Sequence, residues 1–144
     1  MLKDISVKAV LIGLIVDIGG TFVFFFVFSV IGAILLASAG RHVDELKDFA
    51  ETSIFIVVSS LAGLLFSALG GYVSARIAGK AEVRNALATG AFSALVGLIL
   101  FAGFSSPERS WLDLLSLILI MPCALLGGYA CLRSKQDSAN SERL

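Results

Sequence analysis

The polar positions of this chain fall in clusters, and between the clusters lie four long apolar stretches. They run from about Val10 to Leu36, Ile54 to Val73, Ala86 to Phe104 and Leu112 to Leu132. A hydrocarbon core about 30 Å thick takes about 20 apolar residues in a helix, and every stretch is close to that length or beyond it. None alternates strictly between apolar and polar, as a barrel strand would. The pattern predicts an all-α integral membrane four-helix bundle. The first stretch is longer than a bilayer requires, so a tilt or a projecting end is expected. Lys3 and Lys8 precede it, and Ala37-Ser38-Ala39 resembles a cleavage site. Its apolar run nevertheless far exceeds the ~7–15 residues of a signal core, and it reads as a retained span.

The connections between the spans are short. From Arg41 to Glu51, Val43, Leu46 and Phe49 recur three apart among Asp44, Glu45, Lys47 and Asp48. That spacing suits a short amphipathic helix at the membrane interface, or else a solvated loop. Arg76–Asn85 joins the second and third spans, and Ser105–Trp111 the third and fourth. Pro107 marks a turn there, Ser110 and Asp113 fit a capping box, and Trp111 suits the interfacial aromatic belt. Eight of the 11 Lys and Arg residues (Lys3, Lys8, Arg76, Lys80, Arg84, Arg133, Lys135 and Arg143) fall on one side. Arg41, Lys47 and Arg109 fall on the other, so the positive-inside rule puts both termini in the cytoplasm.

Composition agrees with this picture. Hydrophobic residues make up 58% and charged residues 15%, with 14 glycines besides; mean hydropathy is +0.96. A soluble domain carries about 25% charge. The 11 acidic residues balance the 11 basic ones, leaving none of the excess that a nucleic-acid binder shows. Cys123 and Cys131 are eight positions apart, about 12 Å along a helix, which is too far for an intrachain bridge. With His42 as the only histidine, no metal set is expected, and no cofactor motif is present.

An internal repeat divides the single 1–144 domain. Leu69–Arg76 and Leu126–Arg133 both read L-G-G-Y-x-x-x-R, and Ala9–Gly13 faintly echoes Ala86–Gly90. Two parallel helical hairpins, about 7–80 and 85–135, are expected, followed by a polar cytoplasmic tail from about 134 to 144. In the shared motif, Gly70, Gly71, Gly127 and Gly128 permit close backbone approach. Tyr72, Arg76, Tyr129 and Arg133 either anchor helix ends at the headgroups or form a paired headgroup or ligand site. The second span also carries Ser59, Gly63, Ser67, Gly71, Ala75 and Gly79, each four apart. This row of small residues suits a crossed helix contact within the chain or between subunits.

A similar row in the first span, Ala9, Gly13, Asp17 and Thr21, contains that span's one charge, well away from either end. A carboxylate near the bilayer centre costs about 2.5–3.5 kcal/mol on insertion scales, so Asp17 should face the bundle. Tyr72, Tyr129, Arg76, Arg133, a hydroxyl such as Ser67 or Thr89, or water are candidate partners; pairing with Arg76 or Tyr72 is the expectation. Asp17 then has three readings: a structural tie, the wall of a water pocket, or the binding group for a proton or cation in transport.

Val16–Gly20 (V-D-I-G-G), the acidic outer segment, Leu69–Gly79 (L-G-G-Y-x-x-x-R-I-A-G) and Asn85–Gly90 (N-A-L-x-x-G) together resemble uncharacterised small bacterial four-span membrane proteins. The resemblance covers most of the chain. It implies a bacterial inner-membrane protein and no particular chemistry. Four short helices with an acid in the first also look like the small multidrug resistance transporters, whose acid is a glutamate that exchanges protons for cationic drugs. Here the acid is aspartate and that family's aromatic-lined segment is missing, so the likeness is one of analogy. No nucleophile, P-loop, dinucleotide or zinc-protease motif occurs. The sequence therefore points to a non-enzymatic membrane protein that packs with itself or a membrane partner in the lipid bilayer, with a proton- or cation-coupled transporter or channel using Asp17 as the alternative.

Overall fold

The computed structural model describes residues 4–40, 53–104 and 110–141. It is an all-α bundle of four helices: α1 (Val7–Ser38), α2 (Ser53–Ala78), α3 (Glu82–Phe104) and α4 (Ser110–Ser141). All four contain segments long and apolar enough to cross a membrane. The expected interfacial segment around Val43–Phe49 lies outside the described residues, as do the side chains of the Ser110–Asp113 pair and Trp111. The helices outrun the apolar stretches. In α4 the polar tail simply continues the helix to Ser141, because Lys, Gln and Ala beyond the apolar run are good helix formers.

Packing is uneven. α2 lies along α4, α4 along α3, and α2 also touches α3, whereas the lower half of α1 rests on α2 and α3. α1 thus lies beside α3, and α2 beside α4. Close backbone approach sets the α2–α4 contact. A Cβ on Gly71 would strike the Ala124 carbonyl, and one on Gly127 would strike the Ala68 carbonyl. Gly13 and Gly70 make the equivalent contact between α1 and α2, where a Cβ on either would lie 2.7 Å from the other's carbonyl oxygen. Gly128 faces Ala86 of α3. Apolar burial gives little drive between helices in lipid, so small residues that bring backbones together take over that role.

The shared motif is used differently in its two copies. In the first, Gly70 meets its own hairpin partner and Gly71 meets α4; in the second, Gly128 meets its own partner and Gly127 meets α2. The roles are exchanged by one residue, a turn of about 100° about the helix axis.

Asn85 fastens the end of the bundle that bears the termini. It is fully buried at the start of α3. Its Oδ1 accepts from Ser6 N at 2.9 Å, and its Nδ2 donates to the carbonyls of Asp4, Lys80 and Ala81. Its own carbonyl accepts from the Ser74 and Thr89 hydroxyls. Arg84–Asp4 at 3.2 Å and Lys135–Glu82 at 2.8 Å add exposed ion pairs nearby. The α2–α3 turn closes through Gly79, whose φ of +67° is the left-handed conformation common just past a helix end.

The upper half of α1, Gly20–Ser38, behaves differently. It packs on α2 through Phe24, Phe25 and Phe28 against Phe55 and Phe66, with Phe28–Phe55 centroids 5.3 Å apart, and among the described residues it makes no comparable contact with α3 or α4.

These contacts predict a contrast among the glycines of α2 and α4. Gly71→Ala and Gly127→Ala should each destabilise the bundle by about 1–3 kcal/mol through overpacking. Gly63→Ala, whose new Cβ meets nothing within 4 Å, should fold at least as stably as the parent. Unfolding of the purified protein in mixed micelles measures the difference; equal losses at all three positions would contradict this packing.

Candidate functional site

The separation of α1's upper half from α3 and α4 leaves a cavity of about 420 Å³. All four helices line it. α2 contributes Ser59, Ser60, Gly63, Leu64 and Ser67, and α3 contributes Ser93, Val96, Gly97 and Leu100. Phe22 and Phe25 of α1 and Ser116, Leu117 and Ile120 of α4 complete much of the remaining wall. Asp17 lies at the inner end.

A local change of helix geometry places that acid. Ile15–Gly19 forms one π-helical turn with Asp17 at its centre. Such turns are rare, and they concentrate at functional sites. Asp17 is 4% exposed. The Ser67 hydroxyl donates to its Oδ1 at 2.9 Å, and the Ser93 hydroxyl donates to its Oδ2. Thr21 donates instead to the Asp17 backbone carbonyl at 2.7 Å. No Lys or Arg pairs with Asp17 among the described residues. Three helices thus meet at one carboxyl group through neutral donors.

The expected pairing of Asp17 with Tyr72 or Arg76 is not what forms. Arg76 Nη1 donates to the Tyr72 hydroxyl at 3.1 Å, and the arginine is exposed. Arg76 is nine residues beyond Ser67, about 13 Å further along the helix. The Gly13–Gly70 backbone contact, with Ser74 and Thr89 beside it, fills the intervening space. Tyr129 and Arg133 are exposed and hydrogen-bond to nothing among the described residues. The four motif side chains therefore lie apart from the cavity, while Thr21 lines it. Thr89, another candidate partner for the acid, donates to the Asn85 carbonyl at 3.0 Å.

The row of small residues in α2 also divides. Gly71 and the fully buried Ala75 lie in helix-on-helix packing. Ser59 and Gly63 line the cavity instead, and Ser67 holds the acid. The slow winding of a four-residue row, about 40° per step, carries it from one neighbour to the next.

Two groups carry more than their sequence suggested. Ser93 reads as one more helix hydroxyl, yet it is a direct partner of Asp17. Ser59 is 6% exposed, and its Oγ has no hydrogen-bond partner among the described residues. A hydroxyl within a helix ordinarily bonds a carbonyl one turn back, as Thr21 and Thr89 do here.

Removing either serine from Asp17 leaves a buried acceptor without its donor. Ser67→Ala and Ser93→Ala should each cost about 1–3 kcal/mol of stability. The double variant should depart from additivity, because both act on one group. A double-mutant cycle of unfolding free energies measures this, and simple additivity would count against a shared carboxyl.

No protein family, curated protein or solved structure matches the chain, so the reading of the cavity rests on its own geometry and chemistry.

Proposed function

We propose that this chain is a non-enzymatic, multi-pass protein of a bacterial plasma membrane that carries a proton or small cation, with Asp17 as the binding group. One observation carries the reading: a carboxyl group buried at the inner end of an intramembrane cavity, held by two neutral hydroxyls and facing no basic side chain among the described residues. A purely structural acid needs no cavity beside it. An acid inside the membrane marks an ion or proton path by default. The positive-inside rule assigns both termini to the cytoplasm. On that orientation the packed half faces inward and the cavity occupies the outer half.

The path is interrupted on the terminal side by the Gly13–Gly70 and Gly71–Ala124 contacts. Carriage therefore requires those contacts to open while the cavity closes. Two backbone irregularities lie at the level where this would happen. One is the π turn at Asp17; the other is Pro122 inside α4, between cavity-lining Ile120 and Ala124 of the packed half. A proline removes one ladder hydrogen bond and is a usual site of helix bending.

A second reading is assembly with itself or with a membrane partner. The upper half of α1 favours it, since among the described residues this half rests on α2 and presents Val23, Phe26, Val27, Val30 and Ile34 outward.

Liposomes holding the purified protein and a pH-sensitive dye separate the two. Carriage predicts a proton flux that Asp17→Asn abolishes while helicity and elution volume stay unchanged. No flux from either protein, together with altered assembly of the variant, would favour the second reading. Reporter fusions placing the C-terminus outside would overturn the orientation.

A further inference from the structure

The cavity is far larger than a proton or a bare ion needs, and its polar groups are not gathered at one place. Asp17, Ser67 and Ser93 mark the inner end. Ser59 lies eight residues from Ser67 on α2, about 12 Å along the helix axis. Between these ends the wall is mostly hydrocarbon, from Phe22, Phe25, Leu64, Val96 and Leu117; Thr21, whose hydroxyl is engaged by the Asp17 carbonyl, and Ser60 and Ser116 are the other hydroxyl residues on it. An inorganic cation there would find oxygen ligands on one side only. Water alone would meet mostly apolar surface.

Resting on the reading of Asp17 as the binding group, we propose that the cavity holds an amphipathic primary amine. Its ammonium sits on Asp17, and a second, uncharged polar group reaches Ser59 at the other end. An ammonium has three N–H donors. The carboxyl oxygens of Asp17 accept from it, and the Ser67 and Ser93 hydroxyls, which rotate freely about their C–O bonds, turn their lone pairs toward it. A quaternary ammonium has no N–H and leaves those hydroxyls unused. The apolar chain lies along the phenyl rings. The far hydroxyl or carbonyl satisfies Ser59 Oγ, a buried atom that has no hydrogen-bond partner among the described residues and turns about the χ1 bond to meet it. Among the described residues no substantial contact joins the upper half of α1 to α4, and on this proposal the molecule enters from the lipid on that side.

The probes are 8-amino-1-octanol, n-octylamine and 1-octanol, titrated calorimetrically into the full chain in phosphatidylcholine nanodiscs, with empty nanodiscs as the blank. The amino alcohol should bind about fivefold more tightly than octylamine, the value of one neutral hydrogen bond. Ser59→Ala should remove that advantage and leave octylamine unchanged. Asp17→Asn should weaken both amines by about tenfold or more without strengthening 1-octanol. Gly63→Leu, which fills open space at the cavity wall, should abolish binding in a folded protein, and it serves as the test should Asp17→Asn fail to fold.

Equal affinities for the two amines, an equal effect of Ser59→Ala on both, or undiminished binding by Asp17→Asn or by folded Gly63→Leu would overturn the proposal. Absent amine binding with Asp17-dependent proton flux intact would overturn the ligand and spare the carrier. Amine binding without flux would do the reverse.

Discussion

Helices surrounded by hydrocarbon gain little from hiding apolar side chains, since the lipid is as apolar as they are. What holds them is contact close enough for dispersion and local dipoles to act, and such contact requires the absence of side chains where backbones meet. In this bundle the requirement is met at Gly71 with Ala124, at Gly127 with Ala68 and at Gly13 with Gly70. These pairs lie in the half of the bundle nearer the termini. The inner end of the cavity and the small cross-section of that half both follow from them.

The other half is governed by bulk. Phe24, Phe25 and Phe28 meet Phe55 and Phe66, and rings of that size hold α1 at a distance from α3 and α4. A bundle narrow at one end and wide at the other has to change its spacing somewhere. The change falls at Asp17, in the π turn. The wider turn places the acid on the face shared by α2 and α3, where Ser67 and Ser93 reach both carboxyl oxygens. Packing geometry, backbone irregularity and the position of the buried acid are therefore aspects of a single transition in helix spacing.

Much of this was legible in the chain. Hydropathy located the four spans, and the row through Ala9, Gly13 and Asp17 identified the buried face of α1. Helix ends were less legible: hydropathy reports the membrane, and α3 and α4 continue beyond it on polar residues that also favour helix. The division of the α2 row could not be read either. Gly63 and Gly71 are the same residue at the same spacing, yet one borders empty space and the other a carbonyl. Residue size states what a position allows, and the neighbouring helix decides whether it is used. The partner of Asp17 was obscured for the same reason, since the choice among Ser67, Ser93 and Thr89 depends on the rotation of α3 about its own axis. Asn85 stood only as the last residue of the connection before the third span, and its four side-chain bonds depend on where the N-terminal segment comes to rest.

The order in which the chain is made gives the Asp17 contact a further meaning. Ser67 and Ser93 follow the acid by 50 and 76 residues, and Asn85 follows Ser6 by 79. A chain synthesised from its N-terminus commits α1 to the bilayer before any of these partners has emerged from the ribosome. The first helix is thus made with its acid still lacking both hydroxyl donors, and its own apolar flanks must offset that cost. The carboxyl gains its second donor only with the third helix, and the close helix contacts at Ala124 and Gly127 form only with the fourth.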